Sequence, residues 1–344
     1  MKKTLDQATG NIKKFTFTNT MGIMAVIVVF SFLVQFRSPE FVLPSNLVTL
    51  MRNCSITILV GFGQMVVMSG GGLNVSIGSI GGLAAVLVGA FIQRAGLPWE
   101  LAIVLAVMIG ASCGAFNGFV ITRLGSTSEI SWLVTLATMS IFAGITLTIT
   151  KANPFYNLPQ GYTWIGTYNF GKGIIPFGYE IPFMFIIAII FAVLIWYMFK
   201  YTSMGRQILA IGANQKAAAL SGINVQRVII LKHIMSAVLA ACAGILFSTR
   251  LGSIHSDIGI DWMLFSFAAP LIGGARMEGG RVNIIGAFLG GLLLAMVSNA
   301  VVHLKVNVYI VEFLQGMIIL LAVGLDRIRA LREEHRERME RAKL

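Results

Sequence analysis

Residues able to carry out bond chemistry are scarce in this chain. The four histidines, His233, His255, His303 and His335, lie far apart, and neither an HExxH nor a GxSxG pattern occurs. Cys54, Cys113 and Cys242 sit singly in apolar runs, so neither a disulfide framework nor a zinc site follows from their spacing. The stretch Gly171-Lys172-Gly173 lacks the preceding glycine and the Ser/Thr that complete a phosphate cradle, so ATP is not bound by that device. No catalytic residue and no metal ligand is therefore assigned. What remains is a set of uncharged hydrogen-bonding groups in or near apolar stretches: Asn74, Ser76, Asn117, Thr135, Thr138 and Asn299. Trp132 and Phe265 stand among them as rings that could stack or gate. Such groups suit the wall of a path for a small polar solute; hydrogen bonding between helices is the structural alternative for each. Glu312 is the only carboxylate well inside a predicted span. It is close enough to the span's end to snorkel outward, which leaves a functional and a bland reading open.

The elements that must position these groups are membrane helices. The 344 residues are 56% hydrophobic and only 12% charged, far more apolar than soluble domains, and the fold class expected is an all-α integral membrane protein. Residues 181–199 are nineteen in a row without a charge, about 28 Å of helix against a hydrocarbon core of roughly 30 Å. A pass along the chain gives about ten spans, at 20–36, 46–69, 76–93, 100–122, 131–150, 181–200, 228–249, 262–275, 283–303 and 308–325. The eighth is too short to cross alone and reads as a half-helix or tilted piece. Lys2, Lys3, Lys13 and Lys14 precede an apolar run that is too long for a signal peptide and lacks a cleavage site, so it is read as the first retained span. With the N-terminus inside, 19 of the 26 Lys and Arg residues fall on the cytoplasmic side. The net charge of +12 is thus a matter of topology rather than of nucleic-acid binding. The expected organisation is a cytoplasmic segment 1–19, a transmembrane domain 20–325 containing a cytoplasmic loop 201–227, and a charged cytoplasmic helix 326–344. Both termini are expected in the cytoplasm of a bacterium, with the chain in its inner membrane.

Glycine placement adds detail. Gly110, Gly114 and Gly118 lie four apart on one face, as do Gly286 and Gly290, a spacing that lets helix backbones approach closely. Two other clusters, 69–78 and 273–281, interrupt apolar regions and then open helices. Broken helices at membrane depth are tolerated where protein or a water-filled cavity satisfies the freed backbone groups. Each cluster is followed by a glycine-rich span and later by an Asn, Asn117 or Asn299, so an internal pseudo-repeat is expected.

The polar stretch between the sixth and seventh spans is the most distinctive motif. It reads Thr202-Ser203-Met204-Gly205-Arg206, then Ala210-Ile211-Gly212-Ala213-Asn214, then Ala217-Ala218-Ala219-Leu220-Ser221-Gly222-Ile223. The alanines favour a short helix, and Gly222 suits its C-terminal cap. Together with 71–78, Gly114-Ala115-Phe116-Asn117-Gly118 and 272–280, this stretch resembles the membrane-spanning permease subunit of bacterial ABC importers of the ribose/xylose/galactose type, over roughly residues 45–325. The resemblance implies a transport subunit rather than an enzyme. It implies partners: a second permease subunit, identical or different, a periplasmic or extracellular substrate-binding protein, and separate ATPase subunits that hold ATP and magnesium. It also implies a coupling role for Thr202, Gly205, Arg206, Ala210, Gly212, Asn214, Ala217, Ala218, Ser221 and Gly222, with an ordinary turning loop as the alternative.

Departures from the family pattern bear on the solute. Where the family usually has GlyGlyxAspLeuSer, this chain has Gly71-Gly72-Leu73-Asn74-Val75-Ser76, an amide for a carboxylate. Where LeuAspAlaIleAlaAla is usual, it has Leu264-Phe265-Ser266-Phe267-Ala268-Ala269, and the usual ProPheIle before the fifth span is replaced by Ile130-Ser131-Trp132-Leu133. These changes suit one half of a heterodimer and leave the solute open among a pentose or hexose, a furanosyl signalling molecule and a nucleoside. A rival from another class is a stand-alone secondary transporter or facilitator, although an ion-driven relay normally needs core carboxylates, and this chain has only Glu312. Glu100, Glu180, Asp257 and Asp261 are expected in or beside periplasmic loops, where they would steer docking of the binding protein or, as the alternative, serve only as solvated loop charge. The long loop 151–180 is expected to form an interfacial hairpin or lid.

Overall fold

The computed structural model describes residues 2–171 and 178–304, with isolated positions between 310 and 324. Twelve α-helices run in order among the described residues: α1 (Lys2–Arg37), α2 (Pro44–Ser69), α3 (Ile77–Gln93), α4 (Trp99–Leu124), α5 (Ser128–Thr150), α6 (Gln160–Thr167), α7 (Phe183–Tyr201), α8 (Ser203–Ala213), α9 (Gln215–Leu220), α10 (Val225–Leu251), α11 (Trp262–Ile272) and α12 (Ile284–His303). The one sheet pairs two residues with two, Asn169–Phe170 antiparallel to Ile181–Pro182. The chain is thus an all-α, multi-pass membrane protein. Among the described residues, seven helices are long and apolar enough to cross a bilayer: α2, α4, α5, α7, α10, α12 and the Thr20–Arg37 part of α1. Of the ten expected spans, the third and eighth correspond to the shorter apolar helices α3 and α11, and the tenth falls largely outside the described residues, as does Glu312.

Burial separates the centre from the rim. The spanning window of α2 is 78% buried and that of α10 67%, against 11% for α1. The two glycine faces explain how the helices pack so closely. A Cβ on Gly114 would stand 2.4 Å from the His233 carbonyl oxygen, and one on Gly118 2.6 Å from Ile230 Cα, so the glycine face of α4 lies directly on the α10 backbone. Gly290 of α12 would likewise put a Cβ 2.2 Å from the Ala269 carbonyl of α11.

The helices define two ends of the bundle. At one, α8 and α9 form a hairpin between α7 and α10. At the other, α6 lies on the end of α10, where Gly166 abuts the Thr249 and Arg250 backbone and the Tyr162 hydroxyl bonds Ser248. Trp164, Tyr168, Phe170 and Phe183 cluster beside it, Trp164 and Tyr168 being stacked at 4.4 Å. The expected loop 151–180 is therefore packed onto the bundle over its described part.

One positional expectation is corrected. The segment 252–261 does not stay at the α6 end but descends along α3, so Asp257 and Asp261 are not surface-loop carboxylates. The cause is local: Gly78, Gly82 and Gly89 fall on one face of α3 and leave a groove with no side chains. In it a Cβ on Gly82 would meet the Ile258 carbonyl at 2.3 Å, and one on Gly78 the Gly259 carbonyl at 1.9 Å.

Candidate functional site

The link between α2 and α3 is where the polar residues gather. α2 stops at Ser69 because Gly70 and Gly71 turn the chain, Gly71 at φ +68°, a conformation that costs other residues. Lys232 of α10, only 3% exposed, donates from Nζ to the Gly70 carbonyl at 2.8 Å and to Val67 at 3.4 Å. An ammonium on the last carbonyls of a helix matches the negative end of its dipole.

The next residues are held from all sides. Asn74 Nδ2 donates to Ser236 Oγ at 2.9 Å, while its Oδ1 accepts from Ser76 N at 3.1 Å and Ser76 Oγ at 2.8 Å. Asn117 Nδ2 donates to Ser76 Oγ at 2.9 Å. Gln64, with its amide turned so that both atoms are satisfied, donates to the Asn74 carbonyl at 2.9 Å and accepts from Asn74 N at 3.2 Å. From α5, Ser131 Oγ donates to the Leu73 carbonyl at 2.8 Å, and Thr135 Oγ1 accepts from Val75 N at 3.0 Å. Asn74, Ser76, Asn117, Thr135 and Gln64 are all fully buried. The irregular backbone of 70–76 is thus satisfied by side chains of α2, α5 and α10, as a non-helical segment inside a membrane protein requires.

The structure brings together four of the eight expected path residues, Asn74, Ser76, Asn117 and Thr135. Thr138 is one turn along α5 and bonds the Thr135 carbonyl at 3.3 Å. The other three lie elsewhere. Trp132 is 44% exposed on α5. Asn299 and Asn46 exchange reciprocal amide hydrogen bonds of 2.9 and 3.0 Å between α12 and α2. Phe265 lines a cavity of about 180 Å³ with Asn53, Thr57, Trp262 and Ser298. A second cavity of about 190 Å³ lies between α3, α5 and the descending segment, bordered by Ser79, Thr146 and Ser256. Sequence reasoning missed Gln64, Ser131, Lys232, His233 and Ser236; the Lys232-His233 pair, seven and eight residues into an otherwise apolar helix, was the available signal. No group of His, Cys, Asp and Glu suited to a metal occurs among the described residues.

The α8–α9 hairpin is built from its own caps. The Thr202 side chain accepts from Gly205 N, Asn214 from Ala217 N and Asn224 from Arg227 N, so each helix of this turn-rich region starts on a side-chain oxygen. Gly222, at φ +82°, follows α9 and is exposed. Gly205 seats α8 on α7, where a Cβ would stand 2.4 Å from the Met198 carbonyl. Arg206, Lys216, Ser221 and Leu220 are exposed, Leu220 at 91%, whereas Ala218 is buried and Ala210 is half-buried.

Gly212 joins this hairpin to both glycine clusters. A Cβ there would stand 2.1 Å from the Ser69 carbonyl oxygen and 2.5 Å from Gly280 N, while Gly280 N donates to Ser69 O at 2.9 Å. Gly279 in turn would place a Cβ 2.6 Å from Gly71 N. The end of α2, the end of α8 and the turn before α12 therefore meet backbone to backbone, a contact that glycine alone permits.

A multi-pass helical bundle with a hydrogen-bonded polar interior, broken segments and a capped hairpin at one end fits a membrane permease. The family described as branched-chain amino acid transport system / permease component matches residues 46–323, and the chain belongs to that family. It is similar to the ribose import permease protein of Bacillus subtilis (strain 168), 35% identical over 307 residues that cover 89% of this chain and 91% of the relative. The D-allose transport system permease protein of Escherichia coli (strain K12) is 32% identical over 312 residues, 90% and 91% of the two chains. The galactose/methyl galactoside import permease protein of the same strain is 29% identical over 340 residues, 94% and 99%. No solved structure matches the chain.

Proposed function

We propose that this permease is the membrane-spanning subunit of an ATP-binding-cassette importer, forming the path for a sugar delivered by a separate binding protein. ATP and magnesium are held by a separate ATPase that docks on α8 and α9, and a second permease subunit completes the path. The chain lies in a bacterial inner membrane with the α8–α9 end and both termini in the cytoplasm, and the α6 end outside. The observation that carries this reading is the junction at Gly212: a hairpin with Arg206, Lys216 and Leu220 exposed on it is joined by backbone contact to both interrupted segments. A push on the hairpin is transmitted to the ends of α2 and α12 without a compliant side chain between. Each cluster is followed by a helix, α3 or α12, with an Asn side chain accepting a backbone N–H near its start, Asn74 from Ser76 and Asn283 from Gly286, which supports an internal pseudo-repeat. Support for a sugar comes from relatives named for ribose, allose and galactose.

The test is co-expression of the tagged chain with its neighbouring proteins, purification, and ATP hydrolysis measured with and without a candidate binding protein. A stable complex with an ATPase, stimulated by the binding protein, is the expected result. A chain that purifies alone and moves solute without ATP would establish a facilitator instead.

A further inference from the structure

The segment between α10 and α11 lies far from where a surface loop would be. Ile254 and Phe155 exchange backbone hydrogen bonds of 2.9 Å near the α6 end, and from there the chain runs down the glycine groove of α3. Gly82, under Ile258, is eleven residues and about 17 Å of helix from Gln93; Gly78, under Gly259, is about 23 Å from it. Neighbouring helices give the same level. Gly110 of α4, which faces Ile80, and Met139 of α5, which borders the second cavity with Gly78 and Gly82, are each about 17 Å from the near ends of their helices. Thr57 of α2, which shares the first cavity with Trp262, is about 20 Å from Pro44. Against a hydrocarbon core of roughly 30 Å, the turn 256–261 and the start of α11 stand at mid-depth.

At that depth the turn is not covered. Asp257 and Asp261 are exposed, as are Ile260 at 70% and Leu264 at 40%. Neither carboxylate hydrogen-bonds or pairs with another side chain among the described residues, and Asp261 does not cap α11. An ionised carboxylate facing lipid at mid-depth is among the costliest arrangements in a membrane protein, and irregular backbone there belongs in protein or beside water. The cavity bordered by Ser79, Thr146 and Ser256 adjoins the same turn.

We propose that the translocation path runs along the turn 256–264, with Asp257 and Asp261 as wall carboxylates that accept hydrogen bonds from hydroxyls of the passing solute. The solute class rests on the sugar reading above. Acceptor-only, negative groups fit a neutral polyhydroxylated molecule and turn away its phosphorylated or acidic derivatives.

Cysteine labelling of the assembled transporter in intact cells tests the placement. Asp257→Cys, Asp261→Cys and, as a surface reference, Ala95→Cys are each treated with a small membrane-impermeant methanethiosulfonate or a maleimide on a polyethylene glycol chain too wide for a solute path. The wild type, with its three native cysteines, is the blank. The Ala95→Cys protein is expected to react with both reagents, and the Asp257→Cys and Asp261→Cys proteins with the small one alone. Equal reaction of the two Asp→Cys variants with the wide reagent would return the turn to the surface. No reaction with either reagent, in variants that still co-purify with their partners, would put it against lipid or protein; both outcomes overturn the proposal. The combined Asp257→Asn and Asp261→Asn variant is expected to take up radiolabelled ribose at least about tenfold more slowly than wild type, and unchanged uptake overturns the contact with solute. Should wild type take up none of ribose, allose and galactose, the sugar reading is what fails, and labelling still decides the path.

Discussion

Gly212→Ala is the sharpest perturbation the structure offers, because one methyl group meets backbone on two sides. The added Cβ would lie 2.1 Å from the Ser69 carbonyl oxygen and 2.5 Å from Gly280 N. Neither neighbour is a flexible side-chain tip, so α8 or both glycine segments must shift. Overpacking costs roughly 1–3 kcal/mol where side chains can adjust, and here the upper end applies because backbone must move. The hydrogen bond from Gly280 N to Ser69 O lies in the gap that opens, which adds about 1 kcal/mol. Against this, Ala gains roughly 0.5–1 kcal/mol over Gly in a helix interior. The balance is about 3–3.5 kcal/mol of destabilisation, an apparent melting temperature lower by on the order of 5 °C in purified protein. Gly144→Ala, on α5 with nothing within 4 Å of the added Cβ, is the matched control and is expected to melt no lower than wild type. The informative assay is solute uptake per ATP hydrolysed in reconstituted vesicles, expected to fall for Gly212→Ala because the hairpin no longer seats on the two breaks. Wild-type melting together with wild-type coupling in Gly212→Ala would refute the backbone junction as a transmitting contact.

Asn74→Leu strips one donor and one doubly used acceptor from a buried network, leaving Ser236 and Ser76 unsatisfied at about 1–3 kcal/mol each. Poor recovery of folded protein is expected, and Asn74→Asp, which keeps the acceptor while Ser236 can turn to donate, should be recovered better in the same size-exclusion assay. A double-mutant cycle on Asn46 and Asn299, each changed to Leu, should give a coupling of about 0.6–1.7 kcal/mol in thermal unfolding, the range for interhelical polar pairs in membranes; additivity would mean the pair is incidental. Leu220→Asp should leave the melting temperature within about 1 °C, since the side chain is 91% exposed, yet lower the yield of ATPase on the tagged chain. Full ATPase recovery would move the docking surface off α9. Gly82→Ala puts a methyl group 2.3 Å from the Ile258 carbonyl and should dislodge the descending segment, read as new protease cleavage within 252–261.

Much of this organisation is legible in the sequence, and the reason differs by feature. The long spans are written as uninterrupted apolar runs, and the Gly110, Gly114 and Gly118 face predicts the close α4–α10 contact because spacing of four is a local property of one helix. The caps of α8, α9 and α10 are legible for the same reason, as Thr202, Asn214 and Asn224 act within three residues of themselves. What is not legible is which polar residue meets which. Asn74 and Ser236 are 162 positions apart, and Asn46 and Asn299 are 253 apart. The packing of α10 against the break after α2, and of α12 against α2, brings these distant positions together. The descent of 252–261 hides for a further reason. Its Ser, Asp and Gly residues read as a surface loop, and the groove that admits it belongs to another helix.

The same contrast explains how glycine is used. In α4 and α12 it shortens the distance between two helices that move as one packed unit. At Gly71, Gly212 and Gly279 it joins the end of α2, the end of α8 and the turn before α12, where the chain can change direction. A contact of carbonyl oxygen, amide nitrogen and Cα has no rotamers to absorb a displacement, so movement of α8 must appear at Ser69 and Gly280 together. Lys232 fixes the carbonyls of Gly70 and Val67 just beyond, and Asn74 ties the following residues to α10 through Ser236. Displacement of the hairpin is thereby directed along α2 and α10, the two most buried of the spanning helices. Both border the first cavity, through Asn53 and Thr57 on α2 and Phe247 on α10, so on the proposed reading a movement that begins at the hairpin end would change the shape of that cavity.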